Sequence, residues 1–392
     1  MDPLAKQESP AEASRAAYDP RMTAAETSVD RARALVDDHV RAEVPGWERS
    51  GRYPRELAAA SGLTALFVTE PAGGQGLSYP EGMRVFEQLG RGDAAFAFSL
   101  SMHNAVAAAL HGAGSPELVA TWGERLRSGD ALGGFSLTEP QAGSDATAIT
   151  TVARPDGQGW RVSGRKAWVS LAGEADLFLV VCHTGEGAGH RDIAIMAVDG
   201  RAPGVSFPRI YDKAASAFLP IGEMLLEDVP AQLLVPAGTG MRAALAAIDV
   251  ARCDIAAIAT GLHAESLDTA LRYARERRAF GERVLDFQGI RWQLADAATE
   301  LEASRLLVQA AAERLGTPEG PVAVAHAKRF APDAALRAAV TCSAVLGAYG
   351  WLNDHPLARF IALAKMLQVV DGTAEVQRLV IARDLDRQAE GL

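Results

Sequence analysis

Apolar positions along the chain follow two different periods, and the changes between them divide it into three regions. From Met22 to about Gly129 they recur at helical spacing: Ala32, Leu35, Val36 and Val40 share one face after Ser28, and Pro54 opens another short helix. Between Gly133 and about Val229 the period drops to two, as in Thr151-Val152-Ala153-Arg154, Trp160-Arg161-Val162-Ser163 and Leu177-Phe178-Leu179-Val180-Val181. Pro155-Asp156-Gly157 supplies a hairpin turn between the first two of these. The spacing predicts about seven or eight strands in this middle region. From Gly240 the helical period returns, over segments near 240–279, 286–315, 321–348, 355–369 and 373–387. Pro332, inside the third, is expected to kink or interrupt it.

The expected organisation is therefore α+β: a mobile tail at 1–21, rich in Ala, Pro, Ser and Glu; an N-terminal helical domain at 22–132; a β domain at 133–236; and a helical bundle at 237–392. There is no internal repeat and no βαβ alternation, which disfavours a doubly wound nucleotide-binding sheet.

Composition narrows the function classes. The 392 residues carry 49 acidic and 39 basic side chains, a net charge of −10, and 48% are hydrophobic, which excludes a disordered chain. Without a Lys/Arg block the chain lacks the electrostatic footprint of a nucleic-acid binder. Cys182, Cys253 and Cys342 are scattered and odd in number, which points to a reducing compartment and buried thiols rather than a disulfide framework. No apolar run is long enough to span a membrane and no leader pattern precedes the helices, so a cytoplasmic protein is expected. The histidines offer no pair at metal-binding spacing, and no metal site is expected. Gly73-Gly74-Gln75-Gly76 lacks the Lys-Ser/Thr of a phosphate loop.

Four longer strings carry more. Phe135-Ser136-Leu137-Thr138-Glu139-Pro140-Gln141-Ala142-Gly143-Ser144-Asp145 opens the β domain, and Gly164-Arg165-Lys166-Ala167-Trp168-Val169-Ser170 follows its hairpin. Tyr273-Ala274-Arg275-Glu276-Arg277-Arg278-Ala279-Phe280-Gly281, with Gln288 beyond it, and Asp371-Gly372-Thr373-Ala374-Glu375-Val376-Gln377-Arg378 lie in the helical region. In sequence and order they resemble the signatures of the acyl-CoA dehydrogenase family, flavoproteins that desaturate acyl thioesters, over about residues 23–390. The resemblance implies an N-terminal helical domain, a middle β-barrel or sandwich and a C-terminal four-helix bundle, with FAD as cofactor. It implies that Phe135, Leu137 and Thr138 line the flavin, and that Gly143 and Ser144 lie where cofactor phosphates and the thioester arm pass, Ser144 touching both. Trp168 and Ser170 alternate with Val169 on a strand and so project to one face, and the resemblance places both beside the flavin's central ring. Arg277, Phe280 and Gln288 would reach the FAD of a neighbouring protomer, in a homotetramer built from dimers. An arginine suits that task because its planar fork matches a pyrophosphate. Gly347, Thr373 and Glu375 complete the implied cofactor contacts.

Desaturation needs a carboxylate beside the α-carbon. The family's usual Glu before the last Gly-Thr is Asp371 here, shorter by one methylene or about 1.5 Å of reach. The alternative Glu on the helix near 250 is absent, its place taken by Ala251. Asp249 and Arg252, one turn apart, resemble a pair that borders the thioester pocket. Other departures are Ala344 where Gln is frequent and Ala362-Leu363 in place of an Arg-Asp pair. The expected function is α,β-dehydrogenation of an acyl-CoA or acyl-carrier-protein thioester with Asp371 as base. Electrons would pass to electron-transfer flavoprotein or another acceptor. Two alternatives share the fold: an oxygen-using flavoenzyme of nitroalkane-oxidase or monooxygenase type, and a non-catalytic partner subunit.

Overall fold

The computed structural model describes residues 23–157, 159–185 and 189–391; the tail expected at 1–21 lies outside them. Helix α1, Ala24–Leu35, starts at Thr23, whose side chain accepts from the Glu26 N–H while Glu26 caps the Thr23 N–H. Ser28 therefore lies inside α1, where its hydroxyl donates to the Ala24 carbonyl at 2.8 Å. A π-helical turn, Val36–Val40, leads into α2, Arg41–Ser50, and Pro54 precedes α3, Arg55–Ala60. Helices α4 (Tyr79–Gly92), α5 (Ala94–Ala113) and α6 (Pro116–Ser128) complete the first region. The glycine cluster between α3 and α4 is a packing turn: a Cβ on Gly74 would stand 2.1 Å from the Val68 carbonyl oxygen, and Gln75 Nε2 donates to Gly62 O at 2.6 Å.

Among the described residues seven strands follow: β1 (Gly133–Ser136), β2 (Val152–Asp156), β3 (Gly159–Ser170), β4 (Leu177–His183), β5 (Ile193–Asp199), β6 (Val205–Ile210) and β7 (Ile221–Val235). They form one sheet in the order β1-β4-β2-β3-β7-β5, and β4 also pairs with β5 along its whole length, which closes the sheet into a barrel. Strand β6 lies against β7. The run Leu177–Cys182 is buried on both faces, which explains why it reads as continuously apolar. The β2–β3 turn falls at Gly157, with φ +60°, as the Pro-Asp-Gly signal required.

The last region comprises α7 (Gly240–Glu276), a short hairpin of β8 (Arg278–Ala279) and β9 (Glu282–Arg283), α8 (Gln288–Arg314), α9 (Gly320–Leu346), α10 (Leu357–Val369) and α11 (Ala374–Glu390). Helix α9 packs against α7, α8, α10 and α11 and so forms the centre of the bundle. It runs through Pro332 without a break. The proline is buried beside Ala331, Ala334 and Ala335, and packing of this face against the neighbouring helices holds the segment helical despite the lost hydrogen bond. Leu363 is fully buried, so the departure noted at 362–363 serves the bundle core. All three cysteines are buried free thiols, and no described helix is long and apolar enough to cross a membrane.

Two buried acids anchor the fold, one between regions and one within the barrel. Glu265 on α7 takes Arg41 at 2.6 Å, Arg272 at 3.0 Å and Arg91 at 3.3 Å, which ties the N-terminal helices to the bundle. In the barrel, Lys166 of β3 donates to Glu139 Oε1 at 2.8 Å and to the Leu137 carbonyl at 2.9 Å, with neither charge reaching solvent. Burial alone would raise the Glu139 pKa, but Lys166 and the Thr151 hydrogen bonds bring it down to about 2.

Lys166→Met would strand the Glu139 charge, and a loss of about 3–5 kcal/mol in stability is expected, read as a lower urea midpoint, with partial recovery in Lys166→Met/Glu139→Gln. Because the Glu139 pKa is depressed, the pair's stabilisation is present above the ordinary value of 4.5 and is lost as pH falls toward about 2. The double variant should show a shallower acid limb in its melting temperature.

Candidate active site

Four segments carry the candidate residues: the stretch after β1, the bulged end of β3, the middle of α7 and the turn between α10 and α11. The Thr138 carbonyl accepts the Ala167 N–H at 2.9 Å, which brings the first two signature segments side by side. Glu139 then accepts from the backbone and hydroxyls of Thr150 and Thr151 and from Gln141, so the excursion from 139 to 151 is anchored at both ends. Its tip leaves Gly143 and Ser144 exposed, with open space where a Gly143 side chain would stand.

On β3 the register against β7 shifts between Lys166 and Val169, and Trp168 takes a left-handed backbone with φ +57°. The regular alternation expected for Trp168 and Ser170 is interrupted by this bulge. Trp168 is 63% exposed and its ring stands 4.4 Å from that of Tyr211, while Ser170 is buried. Phe135 and Leu137 are half-buried beside this strand, and the Ser136 hydroxyl is buried without a partner. A flat exposed indole, an unpaired hydroxyl and an unobstructed glycine loop fit an isoalloxazine ring with a phosphate tail.

The third group sits apart. Arg277 just before the β8–β9 hairpin, Phe280 at its turn and Gln288 after it are all exposed, Phe280 by 97%. Gly347, at the end of α9, is exposed with φ +60°, and Glu375 is exposed and paired with Arg378 at 3.0 Å. Thr373 caps α11 through the Val376 N–H.

Asp371 occupies the turn before that cap in a left-handed conformation, φ +52°, followed by Gly372 at φ +100°. Arg252 donates from Nε to the Asp371 carbonyl at 2.8 Å and from Nη1 to Asp249 at 3.0 Å, so the expected Asp249–Arg252 pair forms and holds the turn by its backbone. The carboxylate oxygen Oδ2 of Asp371 is buried without a hydrogen-bond partner. Burial raises the Asp371 pKa above its ordinary 3.8, opposed by the positive charges of Lys328 and Arg252. Lys328, itself buried in α9, donates to the Leu367 carbonyl at 2.7 Å, and burial lowers its pKa to about 8 despite the pull of Asp371. A cleft of about 530 Å³ opens beside this group, lined by Tyr79, Met241, Leu245 and Asp249.

The acyl-CoA dehydrogenase N-terminal, middle and C-terminal domain models match residues 23–130, 134–229 and 238–385. The chain belongs to the acyl-CoA dehydrogenase family. It is 32% identical over 363 residues to a probable acyl-CoA dehydrogenase of Mycobacterium leprae, covering 91% of this chain and 93% of the relative. Glutaryl-CoA dehydrogenase of Desulfococcus multivorans is 33% identical over 351 residues, covering 86% and 90%. The butyryl-CoA dehydrogenase structure from Megasphaera elsdenii superposes with a TM-score of 0.88 at 29% identity, covering 94% of this chain and 100% of that one. This acyl-CoA dehydrogenase is thus an oxidoreductase acting on CH–CH bonds, with FAD as its cofactor.

Sequence reasoning named Asp371, Asp249 and Arg252 but passed over Lys328, Asp254 and Ser101, which the fold brings into the same neighbourhood. A signal was present for Asp254, the one charge in the otherwise apolar run Cys-Asp-Ile-Ala-Ala, and less so for Lys328, which Arg329 follows directly. An isolated charge there has to be buried and answered. Gly372→Ala tests how tightly the turn is held: a Cβ would meet Arg252 Nη2 at 3.0 Å at a positive φ. A loss of about 1–3 kcal/mol is expected, with Arg252 displaced and lower thioester turnover at unchanged flavin absorbance.

Proposed function

We propose that this acyl-CoA dehydrogenase removes the α-proton of its acyl thioester with Asp371. The observation that carries the reading is the buried, unpartnered Oδ2 of Asp371, a basic lone pair with no protein donor to quench it. The backbone clamp from Arg252 fixes where that oxygen stands, and the Lys328 and Arg252 charges keep the carboxylate ionised enough to accept a proton. With the shorter side chain, the turn itself has to deliver the carboxylate; the left-handed conformation at 371 is the means available to it.

When bound, FAD would supply the two-electron acceptor, at its N5, for the hydride of the β-carbon. Phe135, Leu137, Thr138, Trp168 and Ser170 would hold the ring, and Gly143 and Ser144 its phosphates and the thioester arm. The 530 Å³ cleft beside Asp249 would admit the thioester, whether on coenzyme A or an acyl-carrier protein. Arg277, Phe280 and Gln288, exposed on this chain, would serve a neighbour's FAD in a homotetramer, and Gly347, Thr373 and Glu375 would add further cofactor contacts. The exposed Trp292, Leu306 and Trp351 on the same bundle support such an assembly. Electron-transfer flavoprotein is the proposed reoxidant.

Asp371→Asn keeps volume and removes the basic lone pair. Flavin bleaching in a single anaerobic turnover with acyl-CoA thioesters should slow by about 10²–10⁴ while thioester affinity survives. Bleaching at the parental rate would place the base elsewhere. The pH dependence follows from the raised pKa: Asp371 must be ionised to act, so the bleaching rate should fall with acidification at a pH above the ordinary 3.8. Lys328→Met should move that limb further up, because a stabilising positive charge is removed.

A further inference from the structure

An exposed aromatic pair stands at the bulge of β3, and one member of it has no part in the chemistry described above. Between Lys166 and Val169 the strand takes one residue more than β7 does between Met224 and Gly222, and the extra length turns the Trp168 indole outward from a left-handed backbone, φ +57°. A side chain so exposed keeps one rotamer only if something beside it is fixed. Beside it stands Tyr211, directly after β6, with ring centroids 4.4 Å apart and planes at 41°. Gly222 sets the spacing: it pairs with Val169 on one side and Ile210 on the other, and a Cβ there would come within 2.3 Å of the Arg209 carbonyl oxygen. The bare backbone at this level lets β6 close on β7 and carry Tyr211 to the bulge.

Tyr211 is itself held. Its N–H donates to the Ile221 carbonyl at 2.8 Å, its carbonyl accepts from Lys213 Nζ at 3.3 Å, and its half-buried ring packs against the core. The Arg209 guanidinium lies 5.2 Å from the ring centroid. Glu223, opposite Arg209 in the strand register, accepts from Arg165 Nε at 3.1 Å, so among the described residues the Arg209 guanidinium is left to the aromatic face. Packing against the core asks only for an apolar group at 211; stacking on an exposed indole asks for a ring.

We propose that Tyr211 is a positioning residue for the cofactor: braced by Arg209, it holds the Trp168 indole in one orientation before the isoalloxazine arrives. The inference rests on the reading above that Trp168 adjoins the flavin ring, and it adds a residue that acts through Trp168 rather than by touching the cofactor. Fixing a contact surface in advance removes the ordering cost that binding would otherwise carry. An aromatic pair of this kind is worth a factor of about two to ten in an equilibrium.

The test titrates the full-length chain, freed of flavin, with FAD and follows flavin fluorescence. It yields the affinity and the residual emission of the bound ring, which an indole lying on the flavin quenches. Tyr211→Ala should weaken FAD binding about two- to tenfold and raise the residual emission. Tyr211→Phe should keep both parental values, because the ring and not the hydroxyl makes the contact, and Arg209→Gln should fall between. In a Trp168→Ala background Tyr211→Ala should bring no further loss, since the indole it serves is gone; a merely structural tyrosine would weaken FAD equally with and without Trp168. Tyr211→Leu, which keeps an apolar group against the core, should behave as the alanine variant does and decides the matter if that variant fails to fold. Parental affinity and emission in Tyr211→Leu, or equal losses in both backgrounds, would overturn the proposal. If the Tyr211 variants are silent while Trp168→Ala weakens FAD, the flavin stands against Trp168 and only the role of Tyr211 falls. If Trp168→Ala also matches the parent, that placement of the flavin falls with it.

Discussion

Glu139 and Lys166 face each other without water, and most of what the β domain offers to a cofactor depends on that contact. A buried charge left alone is far costlier than a surface one, so the pair commits both strands of the site to a single register. Lys166 also holds the Leu137 carbonyl, and Glu139 gathers the backbone at 150 and 151, so the residues between them form a loop pinned at its two ends. Immediately past Lys166 the pairing slips and Trp168 swings outward. The rigid contact and the irregular one are neighbours: the bulge is tolerated because the ion pair beside it fixes the strand.

On the bundle side the same logic acts through the backbone. Arg252 does not pair with the Asp371 side chain; it holds the carbonyl, which leaves the carboxylate free of direct partners. Lys328 acts at longer range, moderating the cost of burial while its own hydrogen bond goes to Leu367. A base needs its lone pair open and its position fixed, and a clamp on the main chain meets both requirements. Glu265, with its three arginines, keeps α7 seated against the N-terminal helices, and α7 is the element that carries Asp249, Arg252 and Asp254.

Much of the architecture was legible in the one-dimensional pattern. The switch from helical to two-residue period and back marks the barrel within the described residues, and the five late helices begin and end within a few residues of the expected bounds because periodicity and capping are local. Local rules failed at Ser28 and Pro332. The capping pair Thr23–Glu26 lay just ahead of the first, and tertiary packing around α9 overrode the helix-breaking tendency of the second. The signature strings pointed to Asp371 and its neighbours because they stand in the family's order along the chain.

Which side chains become partners was beyond the reach of sequence. Sequence by itself determined the three regions, the family and the position of the acidic residue before Gly372. Tertiary structure alone decided that Lys328 and Asp254, 43 positions before and 117 positions before Asp371 respectively, share its surroundings, that Ser101 answers only one oxygen of Asp254, and that the Asp371 carboxylate is left unpaired. The physical reason is that burial and electrostatic partnership are set by contacts between elements distant in sequence, and no local period encodes them.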